Sequence, residues 1–416
     1  MHHVCGQGDG RGGSVRSGLT PSLHDVRVCD LTQNLAGPLC TQILGDLGAD
    51  VIKVEAPGGD PGRAWGPPFW GSDSTLFLSA NRNKRSIILD LKSPEGRGIL
   101  HRIAGESDVL VQSARFGVPE RLEYDYETIR ALRDDIIYMA ISAYGDRGPM
   151  RELPGYDPLM QAFSGIMSVT GNPGAPPARV GGSVVDFGTG MWSTIAILSA
   201  LRTRDATGEG AKLDAALLDT SVGWVSYHLM GYFATGDVPG PMGSAMDSIV
   251  PYQGFQTVDG SVMISSGSDR IFVRLCNALG LGELGADPRF LTNPDRVANR
   301  EELIELIEGQ IKRHTTEDLL ELMHDHAVPC SPIQNMAEVA AHPQVVEAGL
   351  LPLADHPAVS NYQDVALPLR VDGERPRGGR PPPSAGEHTG EILGELGYTE
   401  EEVRGFLERG VAFESS

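Results

Sequence analysis

Between Val26 and Ser142 the chain repeats one unit: a short apolar run, a turn marked by glycine or proline, a helical stretch, then the next apolar run. VRVCDL (26–31) passes through AGPLC (36–40) into CTQILGDLGA (40–49) and on to DVIKVE (50–55). IILDL (87–91), VLVQS (109–113) and IIYMAIS (136–142) follow, with helical segments at 94–108 and 126–133 between them. A helical crossover brings each new strand back to the same end of the sheet, so this order predicts an α/β fold with a parallel sheet. Dinucleotide-binding units begin this way. No G-x-G-x-x-G separates the first strand from the first helix, however, and no nicotinamide or flavin site is assigned. GQGDG (6–10) has no strand before it and reads as linker.

Texture divides the rest. Residues 1–24 lack the apolar centre of a signal peptide and read as a disordered leader. Residues 25–225 form the first part of a large domain, and 226–244 a linker. FQTVDGSVMISSGS (255–268) alternates on both sides of an Asp-Gly turn, a hairpin signature, and acidic helices follow; 245–335 is expected as a smaller α+β domain. The proline-rich run 373–397 leads into a final helix, and 336–416 is expected to return to the large domain.

A chain of 416 residues has material for two domains. Its net charge of −21 weighs against nucleic acid and anionic membrane surfaces as partners, while a local basic patch still admits an anionic substrate. No apolar run approaches the ~18 residues that span a bilayer. Five cysteines, at 5, 29, 40, 276 and 330, form no Cys-x-x-Cys pair, and an odd number closes no disulfide framework. A reduced, cytoplasmic protein is the expectation.

Candidate chemistry collects in RVGGSVVDFGTGMWSTIAILSALRT (179–203). The run Ser183–Val185 reads as strand or extended loop and ends at Asp186; Gly188 and Gly190 follow, then an apolar segment long enough for a buried helix. Glycines beside the acid admit close approach of a ligand or of another backbone. A helix start offers free N–H groups and the positive end of its dipole, which keeps a carboxylate ionised. On spacing alone the simpler reading of Asp186 is a helix N-cap. Tyr156 and Asp157 sit on a Gly/Pro-rich loop at 144–165. A second such loop, 57–73, carries Trp65 and Trp70, and segments of this kind form binding loops or interface arms. NRNKRSIILDLK (81–92) sets Arg82, Lys84 and Arg85 beside a strand, either as a clamp for a phosphorylated ligand or as a solvated charged face. G-x-x-x-x-G-K-[ST], G-x-S-x-G and H-E-x-x-H are all missing from the sequence. His324 and His326, two apart on a helix, face different ways, so no metal site is assigned. What remains is a carboxylate able to act as nucleophile on an activated acyl group or as general base, and spacing does not choose between them.

VCDLTQNLAGPLCTQILGDLGADVIKVEAP, NRNKRSIILDLKSPEGR, PGYDPLMQAFSGIMSVTG and VVDFGTGMWSTIAILSAL, in this order, resemble the family III CoA-transferases, the group typified by formyl-CoA and carnitine-CoA transferases. The likeness runs from Val26 to Asp219 and resumes more loosely at YQGFQTVDG, VPCSPIQNMAEVAAHPQ and GEHTGEILGELG. It implies a Rossmann-like large domain built from both ends of the chain, a small domain, and two chains interlocked like rings in a homodimer. It also implies that Asp186 is the catalytic aspartate. Its carboxylate attacks an acyl-CoA to give a mixed anhydride and CoA thiolate, and the thiolate returns to form an aspartyl-CoA thioester. An incoming carboxylic acid then displaces CoA into a second anhydride, which CoA finally resolves. The partners are thus an acyl-CoA and a small carboxylic acid, with coenzyme A a substrate rather than a resident cofactor. Gln33, Leu35, Tyr156, Asp157 and Gly188 are implied to line the active site. Lys92 and Arg121, with Lys84 and Arg85, are implied to hold the CoA phosphates, and Leu91 to lie near the adenine.

The chain departs from the family pattern in places. Leu35 stands where formyl-CoA transferases carry a glutamine, Ala56 where an arginine follows the K-x-E motif, and Ser113-Ala114 where Asn-Phe is usual; no glycine tetrad is present. The acid is therefore expected to be larger or less polar than oxalate or formate. The family's other branch, the α-methylacyl-CoA racemases, has a histidine at Tyr156 and a glutamate at Gln256. Neither residue found here is a base near neutral pH, which favours transfer over racemisation. An inactive CoA-thioester-binding homologue is a third reading.

Overall fold

The computed structural model describes residues 22–376 and 379–415, so most of the expected leader lies outside the described residues. Along the chain come β1 (Arg27–Leu31), β2 (Asp50–Glu55), a small hairpin of β3 (Phe69–Trp70) and β4 (Asp73–Ser74), then β5 (Lys84–Leu89), β6 (Val109–Gln112), β7 (Ile137–Ser142) and β8 (Ala211–Ala216). All but the hairpin join one sheet in the order β5-β2-β1-β6-β7-β8, and every one of these pairings is parallel. In order of appearance this is 3-2-1-4-5-6, the Rossmann arrangement that the sequence led one to expect.

Helices cover both faces of the sheet, which is why its strands read as nearly unbroken apolar runs; β5 is buried along its whole length. On one face helix Ala36–Asp46 and the long helix Val184–Thr207 pack Cys40, Leu44, Val185 and Ile197 against Val28, Val111 and Met139. On the other, Ile99 and Ile103 of helix Pro94–Gly105 and Ile392 and Leu393 of helix Thr389–Glu395 meet Cys29, Ile52 and Leu110. Each such side chain contributes about 1.5–3 kcal/mol by leaving water. The long helix has 24 residues and, against the sequence reading, contains a stretch apolar and long enough to cross a membrane; half of that stretch is buried inside the protein. Val184 and Val185, expected as strand or loop, already belong to it.

A separate core forms around Phe255, Ile264, Phe272, Leu303 and Leu319. It lies under a three-stranded antiparallel sheet of β9 (Tyr252–Gln256), β10 (Ser261–Ser265) and β11 (Cys330–Pro332), in the order β11-β10-β9. The chain then returns to the first sheet, where β12 (Ala412–Phe413) pairs antiparallel with β5 at the edge.

Strand order reverses at β1. The chain leaves β1 toward β2 and comes back on its other side as β6, so the loops that follow these two strands diverge and open a crevice beyond their carboxyl ends.

Candidate active site

A cleft of about 880 Å³ occupies that crevice. Gln33, Asn34 and Leu35 reach it from the end of β1, Leu91 and Lys92 from the end of β5, and Ser113 to Phe116 from the end of β6. Tyr156 and Asp186 complete the same lining, so the crevice gathers Gln33, Leu35, Leu91, Lys92, Tyr156 and Asp186 into one place. The β1 and β6 loops are tied together by the Gln33 N–H, which donates to Ser113 Oγ at 3.0 Å. From the long loop after β2, Pro57, Pro61 and Trp65 also line the cleft, and Trp65 meets Tyr156 edge to face with ring centroids 5.6 Å apart. The exposed aromatic wall of the cleft was not legible as such in the sequence, although the loop's length and its tryptophan marked it.

Asp186 is not the cap of its helix. It stands in the first turn of Val184–Thr207, whose preceding residue, Ser183, lends no side chain to the end of the helix. The cap comes from Asp157, whose Oδ2 accepts from the Val185 N–H at 2.7 Å and from the Asp186 N–H at 3.2 Å. Asp157 is buried, and its other oxygen accepts from Gln161 Nε2 at 2.5 Å; Gln161 Oε1 in turn accepts from the Val180 N–H at 2.8 Å. Asp157 therefore acts behind the cleft wall rather than on it. Burial, and secondarily the negative charge of Asp157, push the Asp186 carboxyl up to about 7. This reverses the expectation that the helix start keeps the group ionised: desolvation and a like charge outweigh the dipole.

The two glycines serve packing. A Cβ on Gly188 would stand 2.6 Å from the Trp224 ring, and one on Gly190 would stand 2.7 Å from the Ala36 carbonyl oxygen. Gly188 thus faces helix Leu217–Trp224, not the cleft, and is withdrawn from the active-site lining. Four residues beyond the contact at Gly190, Thr194 Oγ1 donates to the Cys40 carbonyl at 3.4 Å, so helix Ala36–Asp46 runs parallel to the long helix with matched register. Both helices begin at the cleft, the shorter one starting against Gly190, one turn past Asp186. The N-terminus of Ala36–Asp46 has no side-chain cap and no acid in its first turn, which leaves donors free.

The basic run 81–92 splits. Lys84 is fully buried and spends its ammonium on Asp30 Oδ2 (3.0 Å), the Pro38 carbonyl (2.8 Å) and Asn81 Oδ1 (2.8 Å). Arg85 binds Asp50, Glu391 and Glu395, and Arg82 binds Asp46 and Asp364. None of the three lines the cleft, and Lys84 and Arg85 are withdrawn as phosphate ligands. The reason is position: they start β5, about 16 Å of strand from the carboxyl end that opens on the crevice. Lys92, past that end, is exposed and lines the cleft. Arg121 is exposed beside the lining residues Val118 and Leu122 without lining the cleft itself. Arg115 and Arg151 are further basic residues of the lining, the latter stacked over Phe116 at 4.7 Å and paired with Glu152 at 3.4 Å. Among the described residues Lys92, Arg115 and Arg121 make no ion pair. Gln256 ends β9 in the three-stranded sheet, donating to Ser261 Oγ at 2.9 Å, and does not line the cleft.

Comparison with known proteins places this geometry. The chain is 38% identical over 413 residues to human succinyl-CoA:glutarate CoA-transferase, covering 98% of this chain and 94% of the relative. It is 39% identical over 383 residues to succinate–glutarate CoA-transferase of Agrobacterium fabrum, covering 90% of this chain and 96% of the relative. A crystal structure of a CaiB/BaiF family protein from Brucella suis superposes with a TM-score of 0.81 at 38% identity, over 90% of this chain and 99% of that one. The sequence pattern of CoA-transferase family III matches residues 23–389, and with a Rossmann sheet and an acid set at its switch-point crevice, the chain belongs to that family.

Proposed function

We propose that this chain moves CoA between two four- or five-carbon dicarboxylic acids through covalent intermediates on Asp186. The observation that carries the proposal is the setting of Asp186: a carboxyl group on the cleft wall, fixed through its backbone by Asp157, with an uncapped helix N-terminus alongside. A pKa of about 7 gives a carboxylate that is a stronger nucleophile than an ordinary aspartate yet still substantially ionised at neutral pH. Free N–H groups of the Ala36–Asp46 first turn suit the oxyanion of each tetrahedral intermediate. The exposed cations Lys92, Arg115 and Arg121 suit the CoA phosphates. The succinyl and glutarate named for the relatives support the diacid class.

In the proposed cycle the Asp186 carboxylate adds to the thioester carbonyl and expels CoA thiolate, leaving an acyl-aspartyl anhydride. The thiolate attacks the aspartyl carbonyl, the first acid leaves, and aspartyl-CoA remains. The second acid repeats the two steps in reverse. Residues 245–335 are taken as a small domain and 336–416 as the return segment. Two chains are taken to pair through the apolar belt of Phe187, Met191, Trp192 and Ile195 on the long helix with Tyr227, Met230 and Phe233 nearby; Met230 is 66% exposed and Phe233 70%.

Protein mixed with succinyl-CoA and hydroxylamine is expected to carry a hydroxamate on the peptide containing Asp186. Asp186→Ala is expected to carry none and to lose turnover by a factor of ~10⁴ or more while staying folded. Wild-type-like transfer by Asp186→Ala removes the aspartate from the mechanism. A missing adduct together with deuterium wash-in at the α-carbon of a 2-methylacyl-CoA replaces transfer with racemisation.

A further inference from the structure

Asn34 lines the cleft between Gln33 and Leu35, and its backbone is in the left-handed region at φ 66°, which asparagine tolerates better than other residues with a side chain. The turn is held from outside. Asn34 N–H donates to Asp60 Oδ1 at 3.1 Å, and Asp60 is itself locked by Lys53 at 2.7 Å and by its own N–H to Glu55 Oε2 at 2.8 Å. The Asn34 side chain does none of this work. Its Oδ1 is shielded from solvent and has no hydrogen-bond partner among the described residues, so the NH₂ is the end of the half-buried side chain left open to the cleft. A buried acceptor without a donor is a standing cost, tolerated where the group's other end has a use.

The surrounding cleft wall locates that end. Ala36 abuts Gly190 and Cys40 abuts Thr194, one turn apart on each parallel helix. Asn34 backs onto Gly62 of the loop whose Trp65 meets Tyr156, and Asn34, Trp65, Tyr156 and Asp186 line the one cleft. We infer that Asn34 selects the substrate: its NH₂ donates to the remote carboxylate of the diacid whose other carboxyl group reacts at Asp186. This rests on the dicarboxylate reading above and assigns the residue that enforces it.

The test compares glutarate with valerate, a five-carbon acid lacking the second carboxylate, as CoA acceptors from succinyl-CoA. Asn34→Asp keeps the shape and tolerates the same backbone angle while facing the remote carboxylate with a like charge. It is expected to lower kcat/KM for glutarate about 10- to 100-fold, the loss of a hydrogen bond to a charged group, and to leave valerate within twofold. Asn34→Gly, which keeps the turn and deletes the amide, is expected to lower glutarate about tenfold and again spare valerate. Equal losses on both acids in both variants overturn the inference, leaving Asn34 as a turn residue only; no loss on either acid overturns it as well. A wild-type enzyme that uses valerate as readily as glutarate removes the dicarboxylate reading itself and the inference with it.

Discussion

The two ends of β5 carry the same kind of residue in opposite circumstances. At the amino end Lys84 sits fully buried among Asp30, Asn81 and a backbone carbonyl. Burial by itself raises the Asp30 pKa, but the Lys84 and Lys53 ammonium groups, with the Thr32 and Thr41 hydroxyls, outweigh it and hold the carboxyl below its ordinary value. Just past the carboxyl end Lys92 lines the cleft with no acid partner among the described residues. The parallel sheet sorts charge along its length: at one end charges are neutralised where they stand, and at the other they are left open. A charged residue's role in such a fold follows from which end of its strand it occupies.

Lys84→Ala probes the closed end. Deleting one partner strands Asp30 as a buried charge, so stability is expected to fall by about 3–5 kcal/mol in urea unfolding, with KM for acyl-CoA unchanged in whatever folds. A raised KM at normal stability erases the contrast. Lys92→Ala probes the open end with the opposite signature: KM for acyl-CoA rises by ~1.5–3 kcal/mol, about 10- to 100-fold, and the unfolding midpoint stays put. Asp186→Asn sharpens the comparison from the cleft itself. Folding raises the Asp186 pKa from 3.8 to about 7, so between those values the folded chain holds a proton that the unfolded chain has released, and above about 7 it carries the charge at a cost. The variant is expected to exceed wild type in stability by about 1–2 kcal/mol at pH 8, the margin shrinking toward pH 5. A margin that grows on acidification contradicts the raised pKa. In the wild type kcat/KM is expected to rise with pH through about 7.

The α/β order was readable from the sequence because strands buried on both faces appear as apolar runs that a local window detects. The cleft's loops were readable by their glycines and prolines. Asp157 as cap was not, since it reaches Val185 across 28 residues of chain and no local spacing announces it. The same holds for β12, a two-residue strand whose partner is Ile88-Leu89. Gly188 and Gly190 showed that something comes close to the helix, but only the fold says that it is Trp224 and the Ala36 carbonyl. Lys84, Arg85 and Lys92 fall within nine positions of one another, and the sequence could not say where the sheet would cut that run.

The return of the chain to β5 has a consequence for biosynthesis. Among the described residues, the core around Phe255, Phe272 and Leu303 draws on positions 250–330 and can close as soon as that stretch has left the ribosome. The first sheet cannot. Its second face waits for Ile392 and Leu393, and its edge waits for Ala412. During synthesis the segment translated first is therefore among the last to finish folding, with β5 an open edge for most of that time.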